Sequence, residues 1–258
     1  MSRMQIGKSG VGISATPEAL RGLRSEFERQ HYLKFPRLLS AELLDFVQLQ
    51  IADAHFYERV HEGIGSNKEL CMGRNSAFAA LQFLVNDRQL FELIQHATQC
   101  ERIGCFQGRV YRVTADNGHH DSWHDDLGED RLVGMSINLS SEPYAGGVLQ
   151  LRDRVSGEIV SEVANDGCGD AVVFRLSNGL QHRITKVEGA AAKTAFAGWF
   201  RAQPDFVSLL RGEGRSTRGT SPTETSSTGE GPTGLPATES GSRTESIFKP
   251  IDRVPSLR

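Results

Sequence analysis

The chain has 258 residues, 38% of them hydrophobic, and a formal net charge of -3 at pH 7. A chain of this length can bury a substantial core without cross-links, and its nearly balanced charge leaves no electrostatic footprint for nucleic acid or an anionic membrane. The N-terminal stretch MSRMQIGKSGVGISATPEAL holds no apolar run of signal-peptide length, and nothing in the chain approaches the roughly 20 apolar residues of a membrane span. A soluble, cytoplasmic protein is therefore expected.

Residues 1–15 read as loose chain. Thr16 then caps a helix in TPEALRGLRSEFERQ, with Pro17 in its first turn and Leu20, Leu23 and Phe27 on one stripe. A second helix is expected in SAELLDFVQLQIADAHFYERV, capped by Ser40, with Leu43, Leu44, Val47 and Ile51 at helical spacing. The polar, glycine-bearing segment HEGIGSNKELCMGRNSAFAAL suits a lid over a substrate mouth or a plain surface loop. NDRQLFELIQHAT forms a third helix, capped by Asn86 or Asp87.

Near Gly108 the hydrophobic period changes from 3.6 to 2. GRVYRVT, RLVGMSINLS, GGVLQLRD, DAVVFRL, LQHRITKV and KTAFAGWFR read as strands, separated by turn signals such as EPYAGG, NDGCGD and SNG. Short strands following a run of helices predict a mainly β sandwich or barrel with a helical buttress. Residues 212–245 are dominated by Gly, Ser, Thr, Pro and Glu with no aromatic, a composition that cannot bury enough apolar surface to order itself. The last stretch, SIFKPIDRVPSLR, regains Ile247, Phe248, Ile251 and Val254, as a frayed end or a docking segment. The expected division is 1–15 loose, 16–106 helical support, 107–211 β core and 212–258 disordered tail. The cysteines, Cys71, Cys100, Cys105 and Cys168, form no Cys-x-x-Cys pair, so they offer no zinc ribbon or thioredoxin-type site and are read as reduced.

The chemistry concentrates in GHHDSWHDD, residues 118–126, which holds two His-x-Asp pairs, His119/Asp121 and His124/Asp126. On a strand, side chains two apart point the same way and can reach one ion. The first pair follows the turn signal Asn117-Gly118 and reads as loop; the second lies nearer the strand that begins at Leu132. A third ligand must come from elsewhere, and His182 is the only histidine after position 124. Two imidazoles and a carboxylate form the facial triad of non-haem iron sites, which leaves coordination positions open. Eleven residues beyond His182 stands Lys193, on a strand face shared with Ala195, Ala197 and Trp199. A lysine among apolar neighbours is expensive unless paired, so it either meets a carboxylate or snorkels to water at a strand end.

Residues from about 107 to 201 resemble the double-stranded β-helix (jelly-roll, cupin-like) core of the Fe(II)/2-oxoglutarate-dependent oxygenases, nearest the prolyl-4-hydroxylase-like branch. The resemblance lies in VYRV before WHDD, in YAGGVLQL, in GCGDAVVF and in QHRITKVEGAAAKTAFAGWF. It implies Fe(II) held by His124, Asp126 and His182, and 2-oxoglutarate as co-substrate with its far carboxylate on Lys193. Arg is commoner there, and Lys grips as a point charge without the two-pronged fit. It further implies dioxygen as reactant, ascorbate as an auxiliary reductant, and hydroxylation of a C–H bond of a small metabolite or peptidyl residue, with succinate and carbon dioxide released. Asp126 argues against halogenation, since the halogenating relatives carry a small residue there. Tyr111 resembles a tyrosine that helps hold the co-substrate, and reads equally as a core aromatic. Ser136 and Asn138 line the pocket or face solvent; Trp123 and Trp199 read as packing residues. A cupin-like metal enzyme that uses no 2-oxo acid, and a non-catalytic jelly-roll binding protein, are the alternatives. The substrate, the oligomeric state and the purpose of the tail are not legible in the sequence.

Overall fold

The computed structural model describes residues 3–60, 68–117, 121–128 and 130–211. Contacts divide the chain into one unit ending at Phe206 and a second, Val207–Arg258, of which residues 207–211 are described. The segment expected to be disordered, 212–258, and part of the expected lid, 61–67, lie outside the described residues.

The N-terminus corrects the expectation of loose chain. Strands β1 (Arg3–Gly7) and β2 (Gly10–Ser14) form an antiparallel hairpin. Its alternation of Met4, Ile6, Val11 and Ile13 is short but in phase, and Ile6 is fully buried. The Ile6 amide donates to the Leu38 carbonyl at 2.7 Å, and the Ser40 amide donates to the Ile6 carbonyl at 2.8 Å, which ties the hairpin to the main body.

Helix α1 (Pro17–Gln30) starts as expected, with Thr16 Oγ1 accepting from the Ala19 amide, and ends at His31 in the left-handed region. Strand β3 (Tyr32–Phe35) follows. Helix α2 (Ala41–Ala52) is capped by Ser40 and buries Leu43, Val47 and Ile51. It stops eight residues short of the expected end: the apolar stripe runs out at Ile51, and Phe56–Val60 becomes strand β4. Strand β5 (Lys68–Met72) and helix α3 (Ser76–Val85) occupy most of the remaining segment that had suggested a lid. Helix α4 (Arg88–Thr98) is capped by Asp87, not Asn86. Asn86 instead brackets Phe106, donating Nδ2–H to its carbonyl at 3.0 Å and accepting its amide on Oδ1 at 2.7 Å. The helical layer is thereby buckled to the first barrel strand.

That strand is β6 (Cys105–Val113), followed by β7 (Arg131–Asn138), β8 (Ala145–Gly146), β9 (Leu149–Asp153), β10 (Ile159–Val163), β11 (Ala171–Arg175), β12 (Leu180–Ile184), β13 (Val187–Glu188) and β14 (Lys193–Arg201), with helix α5 (Phe206–Arg211) last. The larger antiparallel sheet has the order β3-β11-β7-β14-β6-β5-β4; the smaller has the order β10-β9-β12. One face of the large sheet carries Phe106, Phe196 and Phe200, the Phe106 ring meeting the other two at a tilt with centroids 5.5 and 4.9 Å away, in one core with Leu81, Leu90 and Ile94 of the helices. Burying one such ring contributes about 1.5–3 kcal/mol. Its other face meets the small sheet, where Leu149, Leu151 and Val163 pack on Val172 and Phe174. The result is the expected double-stranded β-helix with a helical buttress.

Between the sheets, Phe174 lies 4.9 Å, centroid to centroid, from the His182 ring. It fits because residue 134 has no side chain: a Cβ there would stand 2.2 Å from the Phe174 ring. Asn138, read as either pocket or solvent, is buried and structural, donating to the Gly167 carbonyl and accepting the Ser140 amide. The four cysteines are free thiols; burial pushes Cys105 up to about 11 and, with Glu69 adding to the effect, Cys71 up to about 12. No helix among the described residues is long and apolar enough to cross a membrane.

Candidate metal centre

His124, Asp126 and His182 come together, each offering one ligand atom, with all three atoms within 4.8 Å of one another. His182 sits mid-strand on β12 with its ring directed inward, 5% exposed. The segment carrying His124 runs beside β12 as a single extra bridge: the His124 amide donates to the His182 carbonyl at 3.1 Å, and the reverse bond is 2.7 Å. Two backbone bonds thus fix the separation of the two imidazoles.

Asp126 reaches the site by a different route from the one its spacing suggested. It is not on a strand; its φ is 54°, in the left-handed region. Asp tolerates that conformation better than most residues, at a cost of roughly 1–2 kcal/mol. The carboxylate is then held from several sides. Its Oδ2 lies 3.2 Å from His182 Nε2, 3.7 Å from His124 Nε2, and accepts the Trp199 indole N–H at 3.0 Å. Its Oδ1 accepts from Arg131 Nη1 at 3.3 Å, and the Arg131 guanidinium lies 3.9 Å from the Trp199 ring centroid. Although burial opposes the charge, the two imidazole partners outweigh it and hold Asp126 well below the usual carboxylate range. His124 is raised, its loss of solvent outweighed by Asp126.

The donor set fits a divalent ion. Cis ligands at about 2.1 Å from a metal stand about 3 Å apart, close to the distances between Asp126 and each imidazole. His124 Nδ1 lies 2.8 Å from the Ser122 carbonyl. Donating that N–H leaves Nε2 unprotonated and facing the site, the arrangement by which outer partners orient ligating histidines. The competing pair separates: His119 lies outside the described residues, while Asp121 Oδ2 accepts the Ile184 amide at 3.2 Å and takes no part in the cluster.

Lys193 is buried at the end of the same inner face, 3% exposed, and donates to the Gly147 carbonyl at 2.7 Å. Burial lowers its pKa from 10.5 to about 8, partly offset by the nearby Asp121 carboxylate. Gly147 has φ 61°, and a Cβ there would sit 2.9 Å from Lys193 Cδ, so the close approach needs glycine. Tyr111 belongs to the adjoining strand, Ala195 being its partner in the register, and is buried; loss of solvent, reinforced by Asp121 and Glu69, drives its hydroxyl pKa up, so it stays protonated. Lys193 and Tyr111 share one face of neighbouring strands, and a buried ammonium there suits a carboxylate ligand.

The sequence reading missed two participants. Trp199 was assigned to packing, and Arg131 was not singled out. Their signal was weak: a tryptophan whose N–H faces inward on a strand, and an arginine at the start of β7. Removing the indole N–H with Trp199→Phe is expected to lower Fe(II) affinity by about tenfold, since outer partners of metal ligands typically contribute 10–100-fold. The fold should survive; anaerobic Fe(II) titration alongside thermal unfolding checks both. Trp123 points away from the site and lies between the Arg152 and Arg183 guanidiniums, each 4.4 Å from its ring centroid.

Residues 106–201 match the family model of the 2OG-Fe(II) oxygenase superfamily. No curated protein sequence matches the chain. Among solved structures, a prolyl-4-hydroxylase from Pseudomonas putida superposes with a TM-score of 0.52 at 17% identity, over 71% of this chain and 99% of that one. A 2OG-Fe(II) oxygenase family oxidoreductase from Burkholderia pseudomallei gives 0.53 at 12% identity, over 77% and 96%. A prolyl hydroxylase from Trichoplax adhaerens, solved with a hypoxia-inducible-factor peptide fragment, gives 0.50 at 14%, over 73% and 94%. At these identities the structures establish the fold, and the family match over 106–201 carries the rest. Residues 106–201 are thus a segment of the 2OG-Fe(II) oxygenase type on a prolyl-4-hydroxylase-like fold, and the residues gathered there suit a 2-oxoglutarate-dependent dioxygenase that uses Fe(II).

Proposed function

We propose that this enzyme hydroxylates an unactivated C–H bond of a small metabolite or a peptidyl residue, releasing succinate and carbon dioxide. In this reading His124, Asp126 and His182 hold Fe(II), and Lys193 with Tyr111 seats 2-oxoglutarate. The observation that carries it is the convergence of three ligand atoms within 4.8 Å on the inner face that ends in a buried ammonium.

Fe(II), when bound, supplies the activation of dioxygen, with the 2-oxo acid as the second source of electrons. The protein's residues supply everything around it. Arg131 engages one oxygen of Asp126 while the other faces the imidazoles, so the carboxylate presents a single ligand atom. The Lys193 ammonium fixes the far end of the co-substrate, and the phenol of Tyr111 adds a hydrogen-bond donor on the neighbouring strand. Phe174 walls off His182 on one side, and Val113, Val187 and Ala195 make the co-substrate end apolar. Such a dry pocket strengthens each charge interaction within it and keeps water from the reacting centre.

The domain division at about 107 and 211 belongs to the same reading. Incubation with Fe(II), ascorbate and 2-oxoglutarate should release succinate, with a rate increase when a substrate from a screen is present. Removing residues 212–258 should leave that turnover in place. Absence of both succinate and the anaerobic charge-transfer absorption of an Fe(II)–2-oxoglutarate complex would end this reading.

A further inference from the structure

The small sheet has a second face, turned away from the metal centre. Leu149, Leu151 and His182 point between the sheets, so Gln150, Arg152, Gln181 and Arg183, which alternate with them, point outward. The register sets Arg183 opposite Gln150, and Arg152 opposite Gln181 on one side and Ile159 on the other. Trp123, one residue before His124, joins this face from the segment bridged to β12. The helices gather in the core on the far side of the large sheet and leave this surface open. Ile159 is 47% exposed, and Val155, in the turn between β9 and β10, is 96% exposed.

Two guanidiniums meet on Trp123. Those of Arg152 and Arg183 each stand 4.4 Å from its ring centroid, and so within twice that distance of each other. Arg152 donates through Nε and Nη2 to Gln181 Oε1 at 3.0 and 2.7 Å, and Arg183 donates through Nε to Gln150 Oε1 at 2.8 Å. A glutamine oxygen orients a guanidinium without cancelling its charge. Among the described residues neither Arg152 nor Arg183 forms an ion pair. Asp125, the carboxylate nearest in sequence to Trp123, is engaged by Arg154 at 2.8 Å; Glu162 stands opposite Gln150 on the outermost strand and is exposed. Two like charges set on one partly buried ring repel each other, and an arrangement that served stability alone would put a carboxylate between them.

A carboxylate-bearing partner completes this geometry, because it accepts the remaining N–H groups of both forks and relieves their repulsion. The surrounding surface selects the kind of partner. Tryptophan and arginine are the residue types that anchor protein interfaces, and the bare side chains of Ile159 and Val155 offer apolar contact beside them. A phosphodiester backbone would instead need a longer cationic track, which a chain of net charge -3 does not suggest. We propose that the outer face of the small sheet docks an acidic segment of a partner polypeptide, with its carboxylates on Arg152 and Arg183 and a neighbouring apolar side chain beside Ile159. The surface lies outside the metal centre, so docking there needs neither iron nor 2-oxoglutarate.

The test is fluorescence anisotropy of the full chain with a labelled peptide of three Glu-Glu-Leu repeats, beside its Gln-Gln-Leu and Glu-Glu-Ser counterparts. At low salt the Glu-Glu-Leu peptide should bind at least tenfold tighter than the glutamine peptide and several-fold tighter than the serine one. Raising NaCl to about 0.5 M should remove most of the acid preference, since salt screens exposed charges. Arg152→Gln combined with Arg183→Gln should lower the affinity at least tenfold, with thermal unfolding and anaerobic Fe(II) titration unchanged. Arg183→Glu should shift the preference towards a Lys-Lys-Leu peptide, an outcome that loss of structure does not produce. Ile159→Ser, a surface change, should erase the advantage of leucine over serine in the peptide. Equal binding of the glutamine peptide, no binding of any peptide, or unchanged affinity in the folded double variant would overturn the inference. So would tighter binding of an oligo-dT of equal charge, which would make this a nucleic-acid surface, or full displacement by free glutamate at the peptide's own concentration, which would make it a small-anion site.

Discussion

Replacing His182 with alanine should reduce both Fe(II) affinity and 2-oxoglutarate turnover by more than a hundredfold while leaving the barrel folded. Outer partners of metal ligands typically contribute 10–100-fold, and loss of a ligand atom exceeds that. The fold should survive because the strand pairing at this point is made by the backbone: His124 and His182 exchange amide and carbonyl bonds of 3.1 and 2.7 Å that do not involve the imidazoles. Thermal unfolding of the metal-free protein and anaerobic Fe(II) titration separate these two effects. A variant that kept Fe(II) affinity within tenfold of the unmodified chain would remove His182 from the centre.

Lys193→Ala should act on a different parameter. Metal affinity stays, and the KM for 2-oxoglutarate rises about a hundredfold or more. Truncating one member of a buried charge pair costs about 2–5 kcal/mol, equivalent to roughly thirtyfold to several-thousandfold in affinity. The anaerobic charge-transfer absorption should then need correspondingly more 2-oxoglutarate to develop. The unmodified chain should show a matching pH dependence. Only the ammonium form pairs with a carboxylate, and burial lowers Lys193 from 10.5 to about 8. Hence kcat/KM for 2-oxoglutarate should be level below about pH 8 and fall about tenfold per unit above it. Stability runs the other way. Burial penalises the charged form in the folded state, so the penalty is full below about pH 8 and fades as the pH rises towards 10.5. The ligand-free protein should gain stability from this residue over the window in which it loses its co-substrate. A KM that does not move across that window would count against Lys193.

The helix caps at Thr16 and Ser40 and the strands from Gly108 onward were legible because each follows from local chemistry or from a change of period. Strands β4 and β5 were not: each is only five residues long, carries charged residues, and lies at or next to the sheet edge, where no apolar alternation marks it. The N-terminal hairpin was hidden in the same way, its apolar residues being too few to raise the local composition. At the metal centre the candidates His124, Asp126 and His182 came from a turn signal, from the lack of any other histidine after 124 and from the family resemblance, and the structure brings these three together. The reason that accompanied Asp126 was not right, since a left-handed backbone brings it in, not strand alternation. Trp199 and Arg131 became visible only when β14 and β7 were laid side by side, because their role is defined by a carboxylate distant from Trp199 in sequence.

The absent side chain at position 134 has a consequence beyond packing. Phe174 fills that space, and the His182 ring leans on Phe174. A single methyl group introduced at 134 would force the Phe174 ring to shift, and the His182 imidazole 4.9 Å away is among its neighbours. Drift at this glycine would be conservative by polarity, yet the overpacking should cost about 1–3 kcal/mol and press on a candidate metal ligand as well as on the core.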